Sequence, residues 1–447
     1  MANTVLNPGI IGKTAVRLLE NELVMGSHVY RGYEDEFDKK INGYAVGDTI
    51  SIRKPAQFNV RQNSAVAVIQ DVTEGKLNLV VNNQSGVDFA FTSKDLTLKI
   101  DDLADRVIRP AMIRLANAVD VSLMNLYTQI PNWVRQPDTG ADSPIDSFAE
   151  FAAGAERLDQ GAVPGDMRYA VLAPDSYWAL AGSQTTLFAP NITTSAYRRG
   201  EIGDIGGVGT FMSQNVPTFV GTAAQGDTPT VTNAVGTNQV PYDTVKNTEG
   251  TPGIWGPATG GAGTGLVTGG WTSGAIVKAG TVFTIGTGAG AVLAVNPITK
   301  AVLPYKQHFT VVADVTATGG AATLTITPPI IPVTAIDGPT WGTVNIAPAA
   351  AAVINVVGDA NASYRQNLMF HRDAFALVIV PMVKPPGAVD VSRESYKSTS
   401  VRVIPYYDGT NDVSNYRLDI LYGVKVIDNR LAVRMSGGSA TLGNPAT

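Results

Sequence analysis

Apolar residues at Ile11, Ala15, Leu19 and Leu23 recur every fourth position, with Leu18 widening the stripe and Arg17, Glu20 and Asn21 off it. This spacing predicts a short amphipathic helix between Ile11 and Met25. The charged run that follows (Glu34, Asp35, Glu36, Asp38, Lys39, Lys40) is too polar to bury and reads as a solvated connector. From Gly47 to Leu98 the period switches to two, with Ile50 and Ile52, then Leu77, Leu79 and Val81, then Val87, Phe89 and Phe91 on one side. Read as one long hairpin with arms of ~15 residues, this region reaches ~50 Å, against a radius of gyration of ~22 Å for a compact globule of this length. A protruding two-stranded ribbon is marginal by itself, so it is expected to lie on a neighbour.

Pro110 suits a first helical turn, and Met112, Leu115, Ala116 and Val119, extended by Leu123 and Leu126, predict a helix of about 20 residues before Pro131. Asp101, Asp102 and Asp105 would complement its start. Ser147 and Glu150 form a capping box for a second helix with the face Phe148, Phe151, Ala155 and Leu158, closed by Gly161 and Pro164. Tyr169 to Ala173 reads as a buried strand, and Pro174-Asp175-Ser176 opens another helix. Further strands are predicted at Val277–Ile285, His308–Val315, Ala322–Thr327, Ala374–Met382, Thr399–Ile404, Tyr416–Val426 and Leu431–Met435. The whole is mixed α and β.

Composition divides the chain. Residues 223–355 hold nine charged side chains, no Arg, and 20 of the 46 glycines. They read as an inserted β domain, with a low-complexity, flexible run from Gly250 to Gly274. Across all 447 residues, 33 basic and 38 acidic side chains give a net charge of −5, and no Lys/Arg cluster offers phosphate counterion release, which argues against sequence-specific nucleic-acid binding. The absence of cysteine removes disulfides, thiolate metal sites and thiol nucleophiles and suits folding in a reducing cytoplasm. Met1 to Thr14 does not read as a secretory signal, and the longest apolar runs are half a membrane span, so no membrane role is expected.

Candidate chemistry is thin. Gly9-Ile-Ile-Gly12-Lys13-Thr14 has too few residues between its glycines for a phosphate loop, and Gly203 to Gly209 is followed by a β-branched, proline-closed run, so it reads as a turn between strands. His28, His308 and His371 have no second His at metal-ligand spacing. The carboxylates at Glu34–Asp38 and Asp101–Asp105 sit in polar runs where nothing raises a pKa. No nucleophile elbow or Ser–His–Asp set occurs. No catalytic residue, no cofactor and no metal site is therefore expected, and an enzyme is disfavoured. Tyr242, Trp255 and Trp271 could stack on a sugar, but aromatics spaced widely among glycines read better as loop anchors.

Stretches of the chain resemble the major coat proteins of tailed double-stranded DNA phages with the Hong Kong 97-type capsid fold, in the short-tailed branch that carries an inserted β-barrel-like domain. The resemblance is carried by Lys76 to Asn83, Asp101 to Asp105, Arg114 to Val119, Val171 to Tyr177, Val277 to Ile285 and His371 to Leu377, in that order over most of the chain. It implies an N-terminal arm (1–32), an extended loop and its base (33–99), a peripheral domain with a spine helix (100–145), an axial domain (146–222), the insertion (223–355) and the completion of the axial and peripheral domains (356–447). It also implies a structural role: a subunit that assembles with itself into hexamers and pentamers of an icosahedral shell in the host cytoplasm, on a scaffolding protein. That shell would take in double-stranded DNA without sequence specificity through a portal protein, expand, and in some members bind a decoration protein.

Two sets of contact residues follow. In the extended loop, Arg53, Lys54 and Arg61 are expected to meet acidic side chains of a neighbouring subunit. On the N-terminal arm, members of the family can present an acidic residue to a basic scaffold, whereas the matching position here is Arg17, flanked by Glu20 and Glu22, which makes these three the candidate scaffold contact. Two other readings stand beside this one: a β-rich receptor- or carbohydrate-binding surface protein, favoured by the Gly/Thr-rich segment and its tryptophans, and a nicotinamide-dependent enzyme using the glycines near Gly203.

Overall fold

The computed structural model describes residues 8–33, 40–41, 44–45, 49–53, 76–92, 107–135, 143–184, 203–232, 265–333, 342–385, 391–396 and 399–437. The chain forms two compact units, one built from residues 1–50, 78–124 and 375–425 and the other from 51–77, 125–374 and 426–447. Both mix helix and sheet. Among the described residues, no helix is long and apolar enough to cross a membrane.

In the first unit, helix α1 (Pro8–Glu22) and helix α2 (Arg109–Met124) pack with a sheet that includes strands Asn83–Thr92, Phe375–Val380, Ser392–Tyr396, Thr399–Asp408 and Val413–Val426. The predicted Ile11, Ala15, Leu19 and Leu23 are buried, with α1 packed against α2 and strands Ser392–Tyr396 and Thr399–Asp408, but the stripe is widened by Val16 and not by Leu18, which is half-buried. At roughly 1.5–3 kcal/mol for each large side chain, this burial fixes the helix to its own chain. The helix therefore does not need another copy to cover its apolar face.

Helix α2 buries the predicted Met112, Leu115, Ala116, Val119 and Leu123, with Pro110 in its first turn. It ends at Met124, and Asn125–Gln129 tightens into a 3-10 turn, so the α-helix is shorter than predicted. One charged residue on its inner face has a structural task. Asp120 is 1% exposed, and its carboxylate accepts the Val24 N–H at 2.8 Å and the Gly26 N–H at 2.9 Å, closing the turn that follows α1.

The long-hairpin expectation is corrected in one respect. Strands Thr49–Arg53 and Lys76–Val80 do pair. The third run does not extend that ribbon: Asn83–Thr92 pairs antiparallel over ten residues with Val413–Val426, from Tyr422 opposite Asn83 to Val413 opposite Thr92. Its Val87, Phe89 and Phe91 thus share a face with Leu418, Tyr416 and Ser414 of its own chain. Alternation fixed the strand but not its partner, because period-two patterning specifies a face and is silent on which strand lies beside it. The hairpin tip, residues 54–75, lies outside the described residues.

The second unit is centred on a six-stranded sheet ordered Trp133–Val134, Ala432–Met435, Asn367–His371, Arg168–Leu172, Val208–Met212 and Asp204–Ile205. Helices α3 (Phe148–Gln160) and α4 (Pro174–Gln184) share one core with it, including Phe151, Leu158, Tyr177, Leu180, Val208 and Met435. The capping box forms with a shift. Ser147 Oγ accepts the Glu150 N–H at 3.4 Å, but Glu150 Oε2 accepts from Asp146 N–H at 3.0 Å and not from Ser147.

The predicted inner face of α3 is wrong at its first residue. Phe148 is 52% exposed, while Phe151, Gly154, Arg157 and Leu158 point inward. Helical side chains lean toward the N-terminus and cover the preceding turn, and a first residue has none beneath it.

The strands between Thr230 and Val356 surround a separate core that includes Val231, Leu266, Trp271, Val277, Phe283, Phe309, Leu324, Ile330 and Ile354. Three predicted strands break, among them Ala322–Thr327, which divides into Ala321–Leu324 and Ile326–Thr327 in two different sheets. The run Val277–Ile285 divides into Ile276–Val277 and Val282–Ile285 around Gly280, whose φ of +88° only glycine adopts without strain. The run His308–Val315 divides into Phe309–Val311 and Val315–Thr316.

Candidate assembly surfaces and a buried arginine

The N-terminal candidates separate in space. Arg17 is exposed, its guanidinium 6.0 Å from the Tyr396 ring centroid. Glu20 turns inward: its carboxylate accepts Arg31 Nη1 at 2.9 Å and Thr399 Oγ1 at 2.7 Å, with both ion-pair side chains about nine-tenths covered. Arg31 Nη2 also bonds Thr399 Oγ1. Glu22 is half-buried. In the loop, Arg53 ends strand Thr49–Arg53, while Lys54 and Arg61 lie outside the described residues.

The sheet of the first unit carries a half-buried aromatic cluster. Phe89 stacks on Tyr416 at 5.6 Å, Phe91 meets both rings edge-on, and Tyr407 shares their face through its pairing with Ser414. Tyr406, on the opposite face, is 54% exposed and Tyr407 61%. The hairpin beyond them is set by Asp408, which accepts Thr410 N–H at 2.9 Å and Asn411 Nδ2 at 2.8 Å, bonds that hold its pKa below the ordinary carboxylate value. Nearer the core, Asp419 is 1% exposed and accepts from Arg402 at 2.6 Å and Arg417 at 2.8 Å.

In the second unit the feature that sequence reading missed is Arg434. It is fully buried in strand Ala432–Met435, yet no carboxylate among the described residues pairs with it. Nε donates to Ile130 O at 2.7 Å, Nη1 to Gly280 O at 2.8 Å and Gln366 Oε1 at 3.3 Å, and Nη2 to Thr310 Oγ1 at 3.0 Å. Tyr127 and Trp133 flank the guanidinium, with centroids 5.2 and 5.9 Å away. Burial lowers its pKa from 12.5 to about 9, so it remains charged at neutral pH.

This cluster joins the β strands at Gly280 and Thr310 to the six-stranded sheet. A Cβ at Gly280 would meet Thr128 and Tyr127 at 3.2–3.3 Å, which explains the glycine and the broken strand there. His308, also fully buried, accepts the Trp133 N–H at 3.2 Å, and Arg157 lies over the Tyr305 ring at 3.5 Å. A polar residue in an alternating β-strand gives no sequence signal that its side chain is enclosed. The nearest hint was the lone Arg inside the apolar run Leu431–Met435.

The discarded motifs are also placed. Gly9–Thr14 lies within α1. Gly206 and Gly207, at φ +58° and +78°, form the two-residue turn joining Asp204–Ile205 to Val208–Met212. The turn reading holds, and the dinucleotide reading loses its helix. Trp271 is buried with Nε1 on Thr268 Oγ1 at 2.7 Å, a loop anchor unable to stack on a sugar, whereas Tyr242 and Trp255 lie outside the described residues. Among the described residues, no group of three or more His, Asp or Glu is placed to hold a metal ion.

Residues 8–437 match the family described as P22 coat protein, gene protein 5. The chain belongs to the P22 coat protein family. It is a structural protein, a major capsid subunit of a tailed phage that builds an icosahedral shell. No curated protein matches it. Among solved structures it is similar to a protein of Mycobacterium phage Che8 (13% identity, TM-score 0.45, 93% of this chain and 92% of that one). It is also similar to the capsid of cyanophage P-SCSP1u (10%, 0.40, 94% and 98%) and to the mature capsid of bacteriophage PhiM1 (10%, 0.39, 87% and 82%). The assignment rests on the family match.

Proposed function

We propose that this coat subunit has the Hong Kong 97-type layout, with 223–355 as an inserted domain, and that it first assembles on a scaffolding protein into a precursor which expands as DNA enters through a portal. The observation that carries this reading is the family match over residues 8–437. A net charge of −5 supports a passive container: with little counterion release on binding, the genome is driven in by a motor and not by coat affinity. Assembly takes place in the host cytoplasm, as suits a chain with no cysteine.

Inter-subunit contacts in such a shell are individually weak, about −4 to −8 kcal/mol, so that errors dissociate before closure locks the set. The hairpin between Thr49 and Val80, the part of the loop at 33–99 that does not join the chain's own sheet, lies across a neighbouring subunit and aligns it through Arg53, Lys54 and Arg61, each exposed pair contributing ~0–1 kcal/mol. On the arm, Arg17 is the exposed member of the scaffold-contact set. The test is co-expression of the full chain with the scaffolding protein of the same phage, scored by electron microscopy. Closed shells are expected, and reversing the charge of Arg53, Lys54 and Arg61 together should give soluble subunits or aberrant particles. Discrete monomers from the unaltered chain would overturn the reading, and normal shells from the triple reversal would remove the loop contact.

A further inference from the structure

Two exposed corners of the second unit carry opposite charge. At one end of α3, Phe148 is 52% exposed, and at the start of the neighbouring α4 Trp178 is 56% exposed. The two helix starts are tied together where Ser176 Oγ accepts the Ile145 N–H at 3.3 Å. Around these rings stand the exposed carboxylates Asp146 and Asp175 and the half-buried Glu150. Arg365 Nε lies 3.8 Å from Asp175.

The other corner is the hairpin of strands Leu293–Val295 and Val302–Lys306, which is fixed to the far end of α3 by Asn296 Nδ2 on Gln160 O at 3.2 Å. Its apolar residues face solvent: Ile298 at the tip is 75% exposed and Val302 51%. Lys300 and Lys306 flank them. Beside them Arg430 is paired with Asp428 at 2.6 Å, whereas no carboxylate among the described residues pairs with either lysine. Glu156, one turn before the end of α3, bonds Gln160 Nε2. Lys300 is half-buried, its Nζ donating to Gly342 O at 3.4 Å; burial lowers its pKa to about 8, with a smaller contribution from Arg430.

We propose that these corners are the two halves of one head-to-tail contact: the basic, apolar hairpin at Ile298 and Val302 of one copy seats on the acidic, aromatic corner at Phe148 and Trp178 of the next. The inference rests on the self-association of a coat subunit. A contact between two different patches is heterologous, and repeated with a closing rotation it generates a ring. Opposite charge at the two rims sets the orientation of docking, and the apolar residues supply the buried anchor. The corners lie at opposite ends of a 13-residue helix, ~20 Å long, so one chain cannot satisfy its own contact.

The cysteine-free chain allows a clean test. Full-length Phe148→Cys and Ile298→Cys variants are mixed before scaffolded assembly, and the particles are treated with a short bis-maleimide. Covalent dimers are expected from the mixture and not from either variant alone. Particles whose mixed sample yields no more dimer than the single variants would overturn the proposal while leaving the coat-protein reading intact. Absence of particles from the unaltered chain overturns both. In a second arm, Asp146→Lys with Asp175→Lys, and separately Lys300→Glu with Lys306→Glu, should each lower particle yield at least tenfold, and the chain carrying both sets should recover to within threefold of the unaltered protein. Loss without recovery, in variants whose thermal unfolding is unchanged, rejects charge pairing. The cross-link alters one exposed side chain per copy and decides the case if a charge variant fails to fold.

Discussion

Asp120 in the first unit and Arg434 in the second are buried charges that no opposite charge among the described residues neutralises. Asp120 accepts backbone N–H groups from the turn at Val24–Gly26, and Arg434 donates to two backbone carbonyls, a threonine hydroxyl and an amide. The difference lies in reach. Asp120 holds one local turn to one helix, whereas Arg434 joins four separate stretches of chain in a fork whose geometry a point charge cannot reproduce. Asp419, enclosed by Arg402 and Arg417, shows the conventional alternative of charge against charge. A backbone-solvated buried charge works as a positional lock, because only one arrangement of the surrounding chain supplies all its partners.

The largest effect is expected at Arg434. Arg434→Met keeps much of the volume but leaves the oxygens of Ile130, Gly280, Thr310 and Gln366 without their donor, at about 4 kcal/mol or more, since each bond to a charged group is worth roughly 1.5–3 kcal/mol and is lost inside the protein. Arg434→Lys should recover less than half of that. Denaturant unfolding measures the loss, and hydrogen exchange should show it in strands Phe309–Val311 and Ala432–Met435. A cost below about 1 kcal/mol for the methionine variant would mean that the fork is incidental.

Asp120 sharpens the comparison because it titrates within reach. Burial raises its pKa from 3.8 to about 6, against the lowering effect of the N–H groups of Val24, Gly26 and Met25. Between those values the folded chain retains a proton that the unfolded chain has released. The contribution of this group is therefore fully present below 3.8 and is lost as pH rises through about 6, amounting to about 3 kcal/mol at most. The stability difference between the unaltered chain and Asp120→Asn should shift in favour of the unaltered chain as pH falls from 7 to 4, measured by urea midpoints. A difference independent of pH would show that Asp120 is ionised throughout. Arg434, by contrast, should give no such dependence below pH 8.

These two side chains mark the limit of what hydrophobic patterning conveys. The stripes of α1 and α2, the buried strand at Arg168–Leu172 and the Gly206-Gly207 turn were legible because each depends on residues near in sequence. The partner of Asn83–Thr92, the break at Gly280 and the burial of Asp120, Arg157 and Arg434 depend on groups more than 90 positions away, such as Val24 for Asp120 and Gly280 for Arg434. Phe148 failed for a local reason, its place at the end of its helix. The assembly residues were the least legible, because nothing within one chain distinguishes a charge that waits for another copy from one that faces water.

Glu20 allows that distinction to be tested. It was off the apolar stripe of α1 and a candidate for scaffold contact, yet it is bound to Arg31 and Thr399 with its side chain 10% exposed. Glu20→Gln keeps the shape and weakens the charge-assisted bonds, so a stability loss of roughly 1–2 kcal/mol is expected, with scaffold incorporation per assembled particle unchanged. Arg17→Glu, on the exposed side of the same helix, should do the reverse: unfolding within about 0.5 kcal/mol of the unaltered chain and scaffold content altered. If Glu20→Gln lowers scaffold content while thermal unfolding stays put, the carboxylate leaves Arg31 when the scaffold docks, and the contact lies on the inner edge of α1 and not at Arg17.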